Sequence, residues 1–125
     1  AQKIAETSGG AGEFVAMCIP PSALAVISIL GIVKAGAAYV PLDVRYPPER
    51  LEMLLLESGA RLMIKTSQSP EFADNADGIA RLDVSDFLTD IDLASPIDFV
   101  CTPRTDAAYV MYTSGSTGMP KGVLI

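Results

Sequence analysis

Residues 113–121 read Thr-Ser-Gly-Ser-Thr-Gly-Met-Pro-Lys. Four hydroxyls, on Thr113, Ser114, Ser116 and Thr117, fall within five positions, and each can donate a hydrogen bond to an oxyanion. Gly115, Gly118 and Gly122 permit positive φ and let backbone N–H groups approach an anion with no Cβ in the way. Successive N–H groups in such a turn form an anion-binding concavity. Lys121 adds a compact point charge suited to a phosphate, and Pro120 stiffens the approach to it. From Ala107 to Ile125 Lys121 is the only charged side chain, so the local charge is +1 although the whole chain carries −6. The chemistry these residues suggest is the cradling of a phosphate.

Two common phosphate patterns do not fit. In G-x-x-x-x-G-K-[ST] the lysine follows glycine, whereas Lys121 follows Pro120, and Gly122 stands where Ser or Thr would hold magnesium. The spacing also fails G-x-G-x-x-G. On composition alone, a plain Gly/Ser/Thr turn joining two strands explains the segment as well as a phosphate cradle does.

The whole string from Tyr112 to Gly122 resembles the phosphate-loop signature of the adenylate-forming, or AMP-binding, superfamily. That group includes acyl-CoA synthetases, luciferases and the adenylation domains of nonribosomal peptide synthetases. Met119 falls at the position that varies freely there. A second string, Val33-Lys-Ala-Gly-Ala-Ala-Tyr-Val-Pro-Leu-Asp43, is similar to a core motif of peptide-synthetase adenylation domains, and Tyr46 to Leu51 continues it. Together the resemblance spans roughly residues 13–125. Val44 departs from it, standing where the family usually has proline. Pro41-Leu42-Asp43 leans toward amino-acid-activating domains, since acyl-CoA synthetases tend to carry Pro-Leu-Asn.

The resemblance implies a fold: the opening part of a large N-terminal subdomain, layered α/β with mostly parallel strands. It implies ATP as substrate with Mg2+ accompanying the nucleotide, though no residue here is named as a metal ligand. An amino-acid carboxylate would attack the α-phosphate, giving an aminoacyl-adenylate and pyrophosphate. The acyl group would then pass to the phosphopantetheine thiol of a separate carrier domain. Carrier and condensation domains of the same longer chain are the implied partners. Thr113, Ser114, Gly115, Ser116, Thr117, Gly118 and Lys121 would hold the β- and γ-phosphates, the glycines through backbone. The family's catalytic lysine and its substrate pocket match nothing in these 125 residues, so no catalytic residue is assigned and the isolated piece is expected to be inactive. The alternatives are an acyl- or aryl-CoA ligase of the same superfamily and a non-catalytic gene fragment.

The elements that must position the loop are legible from pattern. Glu13 to Ile19 is predicted as a strand. Ser22 offers an N-cap to a helix from Ala23 to Ala35, which Gly36 stops. That helix is apolar on nearly every face, so burial is expected. Ala37 to Pro41 is a short strand, and Asp43 is placed to cap the turn after it. A second helix runs from Pro48 to Ser58, with Leu51, Leu54 and Leu55 at helical spacing and Gly59 ending it. Further strands are predicted at Arg61 to Lys65, near Ile79 to Leu82, and at Ala107 to Tyr112, with a helical turn near Ser85 to Leu88. Alternating strands and helices point to an α/β fold with parallel pairing.

Composition closes off other classes. At 125 residues and 50% hydrophobic, the chain has the size and apolar content of one small folded domain. It opens in what reads as the tail of a helix and closes in the first half of a strand, so residues 1–125 are expected to be an incomplete subdomain cut at both ends. Residues 66–106 hold nine acidic side chains against Arg81 and Arg104, a balance of −7 that reads as a solvated surface excursion. No basic stripe suits nucleic acid. Cys18 and Cys101 are lone thiols, Cys18 in an apolar run that reads as core, and the absence of His removes Cys–His catalysis and zinc knuckles. A reduced, cytoplasmic setting is the expectation. The longest apolar stretch, Ala23 to Val33, is too short to span a membrane.

Overall fold

The computed structural model describes residues 1–8, 12–72, 77–86, 107–114 and 118–125. The elements in chain order are α1 (Gln2–Ser8), β1 (Phe14–Cys18), α2 (Ala23–Lys34), β2 (Ala38–Pro41), α3 (Pro48–Glu57), β3 (Leu62–Lys65), β4 (Ala80–Asp83), β5 (Val110–Ser114) and β6 (Pro120–Leu124). Four strands form a parallel sheet in the order β2-β1-β3-β4. Strands β5 and β6 form an antiparallel pair. The α/β class and the mostly parallel pairing expected from the sequence are both found.

The two central strands explain the core. Successive side chains of β1 point to opposite faces. Ala16 and Cys18 join Val40, Leu51, Leu54, Leu55 and Met63 on the face that α3 covers. Val15 and Met17 join Ile32, Leu62, Ile64 and, from α1, Ile4 on the other face, which α2 covers. Strands buried on both faces read as unbroken apolar runs, and FVAMC and LMIK are such runs.

The helix ends follow their residues. The Ser22 hydroxyl accepts from the Ala25 N–H at 3.3 Å and donates to the Pro20 carbonyl at 2.9 Å. Gly36 takes a φ of 76°, a conformation few other residues adopt, and turns the chain out of α2. Pro48 opens α3, where its missing N–H costs nothing. At the far end the Ser58 hydroxyl donates to the Leu55 carbonyl at 2.7 Å and accepts from the Ala60 N–H at 3.2 Å. Leu51, Leu54 and Leu55 are buried, as their spacing predicts.

Cys18 is a core residue, fully buried, with its thiol pushed up to about 11 chiefly by burial. The Ser69 hydroxyl donates to the Cys18 carbonyl and accepts from the Thr66 N–H, tying the loop after β3 to the end of β1.

Three expectations are corrected. Helix α2 is not buried all round: Ser28 and Ile32 are covered, but Val26, Ile27, Leu30 and Val33 are 57%, 45%, 64% and 44% exposed. The inner face meets the sheet; nothing among the described residues covers the outer one. The strand placed at Ala107 to Tyr112 runs instead from Val110 to Ser114, because Thr113 and Ser114 find pairing partners in β6. Gly122 does not take positive φ but sits in β6 opposite Tyr112. The predicted turn at Ser85 to Leu88 is a turn at Ser85 and Asp86, and residues 87–88 lie outside the described residues. So do Cys101, Arg104 and most of the acidic stretch; of its described members, Glu71 pairs with Lys65 at 3.1 Å and Asp83 accepts from Ser85.

Candidate functional site

Strand β5 reaches the site by way of the edge of the parallel sheet. The Tyr39 N–H donates to the Ala108 carbonyl at 3.2 Å, a parallel bridge to β2. The rings of Tyr39 and Tyr109 stack with centroids 5.2 Å apart. Tyr39 therefore packs against the segment that leads into the strand carrying the loop. Beyond that point β5 leaves β2 and pairs with β6, with Tyr112 opposite Gly122, Thr113 opposite Lys121 and Ser114 opposite Pro120.

This register gathers the described members of the predicted site at one end of a hairpin. Thr113 and Lys121 face each other, and the Thr113 hydroxyl lies 3.5 Å from the Lys121 carbonyl. Ser114 closes the ladder on one side; on the other, Gly118 turns the chain with a φ of 80°. A Cβ on Gly118 would meet no atom of the described residues within 4 Å. Gly115, Ser116 and Thr117, the tip of the predicted cradle, lie outside the described residues. Thr113, Ser114 and Lys121 are exposed, and among the described residues Lys121 has no ion-pair partner. Two hydroxyls, a glycine at positive φ and one ammonium group thus share the hairpin end. That combination suits a multiply charged oxyanion.

Gly122 serves the hairpin differently from the way its sequence suggests. A Cβ there would lie 3.2 Å from Val110 Cγ1 and 3.3 Å from Tyr112 Cε1. Its hydrogen side chain lets the Val110 and Tyr112 side chains close over β6. Pro120 lacks an N–H and occupies the first residue of β6, where a strand tolerates proline.

Because β5 runs parallel to β2, its loop lies toward the carboxyl edge of the sheet, where open α/β folds bind ligands. A cavity of about 520 Å³ opens on that edge, lined by Ile19, Leu42, Asp43, Arg45, Met111 and Tyr112 among others. Asp43 caps its turn as expected, accepting from the Arg45 N–H at 3.0 Å. It also takes the Arg45 guanidinium in a two-pronged pair, with contacts of 2.6 to 3.1 Å. Those hydrogen bonds hold the Asp43 carboxyl down at about 2. Burial raises the Tyr112 hydroxyl, with Glu57 adding to it.

Sequence reasoning missed Arg45 and Arg50. Arg45 could have been found as a cation two residues after a turn aspartate. Arg50 gives no such sign: its guanidinium lies 4.8 Å from the Tyr46 ring centre, and its buried Nε has no hydrogen-bond partner among the described residues. The strand order also places the switch point of the sheet between β1 and β3, not beside β5. A smaller cavity of about 350 Å³ lies there, between Ser22, Thr66, Ser67 and Ser85. The Ser85 hydroxyl is already engaged, accepting from the Ser67 N–H at 2.7 Å and donating to Asp83 at 2.6 Å.

A parallel sheet with helices on both faces and a hydroxyl-and-lysine hairpin at its carboxyl edge define an α/β protein of the open-sheet class. Residues 5–125 match the family of AMP-binding enzymes, and the chain belongs to that family. Over 117 residues it is 40% identical to nonribosomal peptide synthetase 8 of Aspergillus fumigatus, covering 91% of this chain and 1% of that protein. It is 38% identical over 133 residues to novobiocin biosynthesis protein H of Streptomyces niveus, covering 100% of this chain and 22% of that protein. The chain therefore spans a small part of the curated relatives it matches.

Among solved structures, it is similar to the nonribosomal peptide synthetase FmoA3 bound to AMPPNP, with a TM-score of 0.78 at 27% identity over 99% of this chain and 13% of that one. The N-terminal subdomain of Klebsiella oxytoca NpsA, bound to 3-hydroxybenzoyl-AMSN, gives 0.71 at 27% identity over 91% of this chain and 28% of that one. O-succinylbenzoate coenzyme A synthetase of Bacillus subtilis, in complex with AMP, gives 0.78 at 26% identity over 97% and 31%. The resemblance to peptide-synthetase adenylation domains is carried by these likenesses. Among the described residues no helix is long and apolar enough to cross a membrane.

Proposed function

We propose that this chain forms the phosphate-holding part of an adenylation domain that activates an amino acid for nonribosomal peptide synthesis. The observation that carries this reading is the hairpin end, where Thr113, Ser114, Gly118 and Lys121 come together in a member of the AMP-binding family. Residues 115–117 complete the proposed cradle. Its task is to orient a triphosphate and neutralise the departing pyrophosphate while the carboxylate attacks the α-phosphate, a matter of positioning and electrostatics. Lys121 supplies charge, Thr113 to Thr117 supply hydroxyl donors, and Gly115 and Gly118 let backbone N–H groups come close.

Magnesium is proposed to arrive on the nucleotide's own phosphate oxygens, its usual mode of binding beside ATP. The acceptor thiol is proposed to be phosphopantetheine on a carrier domain, with carrier and condensation domains as partners in a longer chain in the cytoplasm.

The test is amino-acid-dependent exchange of pyrophosphate into ATP by the longer enzyme that carries this sequence. Lys121→Ala is expected to slow exchange about 100-fold, as loss of one charged donor to a developing anion does. Gly118→Val is expected to do worse, since it adds backbone strain at a positive φ and bulk over the turn. Unchanged exchange in both variants would remove the loop from the reaction. A second reading, an acyl- or aryl-CoA ligase, is favoured by the coenzyme A synthetase among the structural neighbours. Offering the loaded enzyme free coenzyme A or a pantetheinylated carrier separates the two.

A further inference from the structure

Tyr109 stands just before β5 and continues its ladder, donating its N–H to the Ile125 carbonyl at 3.2 Å and accepting from the Ile125 N–H at 2.9 Å. Side chains alternate along an extended chain, so Tyr109, Met111 and Thr113 share one face while Val110, Tyr112 and Ser114 share the other. Residues directly opposite in an antiparallel pair stand on the same face, which puts Lys121 beside Thr113. The two faces are held differently. Val110 and Tyr112 pack against the core on the α3 side of the sheet. The other face meets the sheet through Tyr109, whose ring stacks on Tyr39 with 5.2 Å between centroids and 23° between planes. Tyr39 packs in turn against the core on the α2 side. Met111, the next residue on that face, is 47% exposed. The stack is thus the hold on the face that carries Thr113 and Lys121.

We propose that Tyr39 is a positioning residue for the phosphate loop, its ring fixing the direction in which β5 leaves the sheet edge and so aiming Thr113 and Lys121; this rests on the loop's proposed hold on the β- and γ-phosphates. The Tyr39 N–H bond to the Ala108 carbonyl sets where the segment sits along β2. A single N–H···O bond tolerates a wide range of angles, whereas two stacked rings fix the orientation of the chain behind them. A tilt of about 5° at the stack moves Thr113, about 13 Å further along an extended chain, by about 1 Å. Misplacement of that size at a group that orients a substrate is enough to cost an enzyme up to about 100-fold. Tyr39 itself touches no phosphate in this scheme and acts only through the strand.

The experiment sets ATP against AMP, since only ATP carries the phosphates the loop is proposed to hold. In the longer enzyme that carries this sequence, Tyr39→Leu is expected to weaken binding of magnesium-ATP about tenfold, read by titration calorimetry, and to leave AMP binding within about twofold. Tyr39→Phe keeps the stack and is expected to match the natural enzyme for both ligands. In a Lys121→Ala background Tyr39→Leu is expected to cost about threefold at most, because its effect passes through the lysine it aims. Unchanged ATP affinity in Tyr39→Leu overturns the proposal. So does an equal loss of ATP and AMP affinity, or a full tenfold cost that persists without Lys121, since either makes the stack a support of the fold alone. If Tyr39→Leu does not fold, Tyr109→Leu repeats the comparison from the other ring, and failure of both to fold also overturns it. The two readings fail separately. Lys121→Ala without effect on ATP binding removes the loop's role, whereas a weakened Lys121→Ala beside a silent Tyr39→Leu removes only that of Tyr39.

Discussion

The parallel sheet and the β5–β6 hairpin divide the work of this molecule. Val15, Ala16, Leu62 and Ile64, in the two central strands, are buried to within a rounding of complete exclusion from water. In the hairpin, Met111, Val123 and Leu124 are 47%, 46% and 60% exposed, and every residue proposed to touch phosphate among those described is at the surface. The sheet holds the fold by removing side chains from water. On the proposed reading the hairpin must leave its groups open to a ligand; it contributes little burial and depends on the sheet edge for its position. A change in one region should therefore be read in stability, and a change in the other in activity.

The sharpest way to break that division is to hollow the sheet's support. Leu54→Ala, beneath the sheet in α3, is expected to cost about 3 kcal/mol of stability, since a buried leucine is lost and the cavity closes only in part. Chemical denaturation measures it. If activity per folded molecule fell as far, the two regions would not be separable. Lys121→Ala is the converse, with about 100-fold slower pyrophosphate exchange in the longer enzyme and no change in unfolding midpoint. Gly122→Val tests the join between them. Its new side chain would meet Val110 and Tyr112, and overpacking of this kind costs roughly 1–3 kcal/mol. The hairpin resonances at Val110 and Tyr112 should shift while those of β1 stay in place.

Smaller effects sharpen the same contrast. Ser22→Ala removes the cap of α2 and is expected to cost about 1 kcal/mol, read as a lower melting temperature with exchange unaffected. The Asp43–Arg45 pair contributes least, because Arg45 stands largely in solvent, Asp43 is only half-buried, and salt screens them. The Asp43 carboxyl is depressed to about 2, so what it contributes is present above the ordinary aspartate value near 4 and is lost as pH falls through about 2. Arg45→Ala should raise the Asp43 titration, followed by NMR, toward the ordinary range, with the residue-45 backbone N–H still holding it below. A carboxyl still titrating near 2 in that variant would mean that Arg45 is not the cause.

The legible parts of this fold were those decided by neighbours in sequence. Ser22, Gly36, Pro48 and Gly59 each fix a helix end by local backbone chemistry, and the leucines of α3 declare their inward face by spacing alone. Helix α2 misled for the opposite reason. Its apolar content says that both sides want cover, but only the packing tells which side has found it within these residues. Thr113 and Ser114 read as loop because their side chains are polar, whereas their strand state comes from backbone pairing with Lys121 and Pro120. At the candidate site, residue types and spacing revealed the hydroxyls, the glycines and the lysine. That Thr113 and Lys121 sit opposite each other needed the register, and the stacking of Tyr39 on Tyr109 joins positions 70 residues apart that no local window spans.

That stacked pair also sets an order of assembly. Each strand of the parallel sheet up to β3 follows its neighbours within a few tens of residues, and β5 is separated from β6 by only five residues. Both are contacts a chain can find early. Docking one on the other must close the long span between Tyr39 and Tyr109, a slower search whose entropic cost grows with loop length. During synthesis the sheet residues leave the ribosome first, and domains form in the order in which they emerge. The Tyr39 amide should therefore gain protection from hydrogen exchange after that of Val15 in a pulse-labelled refolding experiment. The hairpin end proposed to hold phosphate would then be the last part to be set in place, onto an edge already built to receive it.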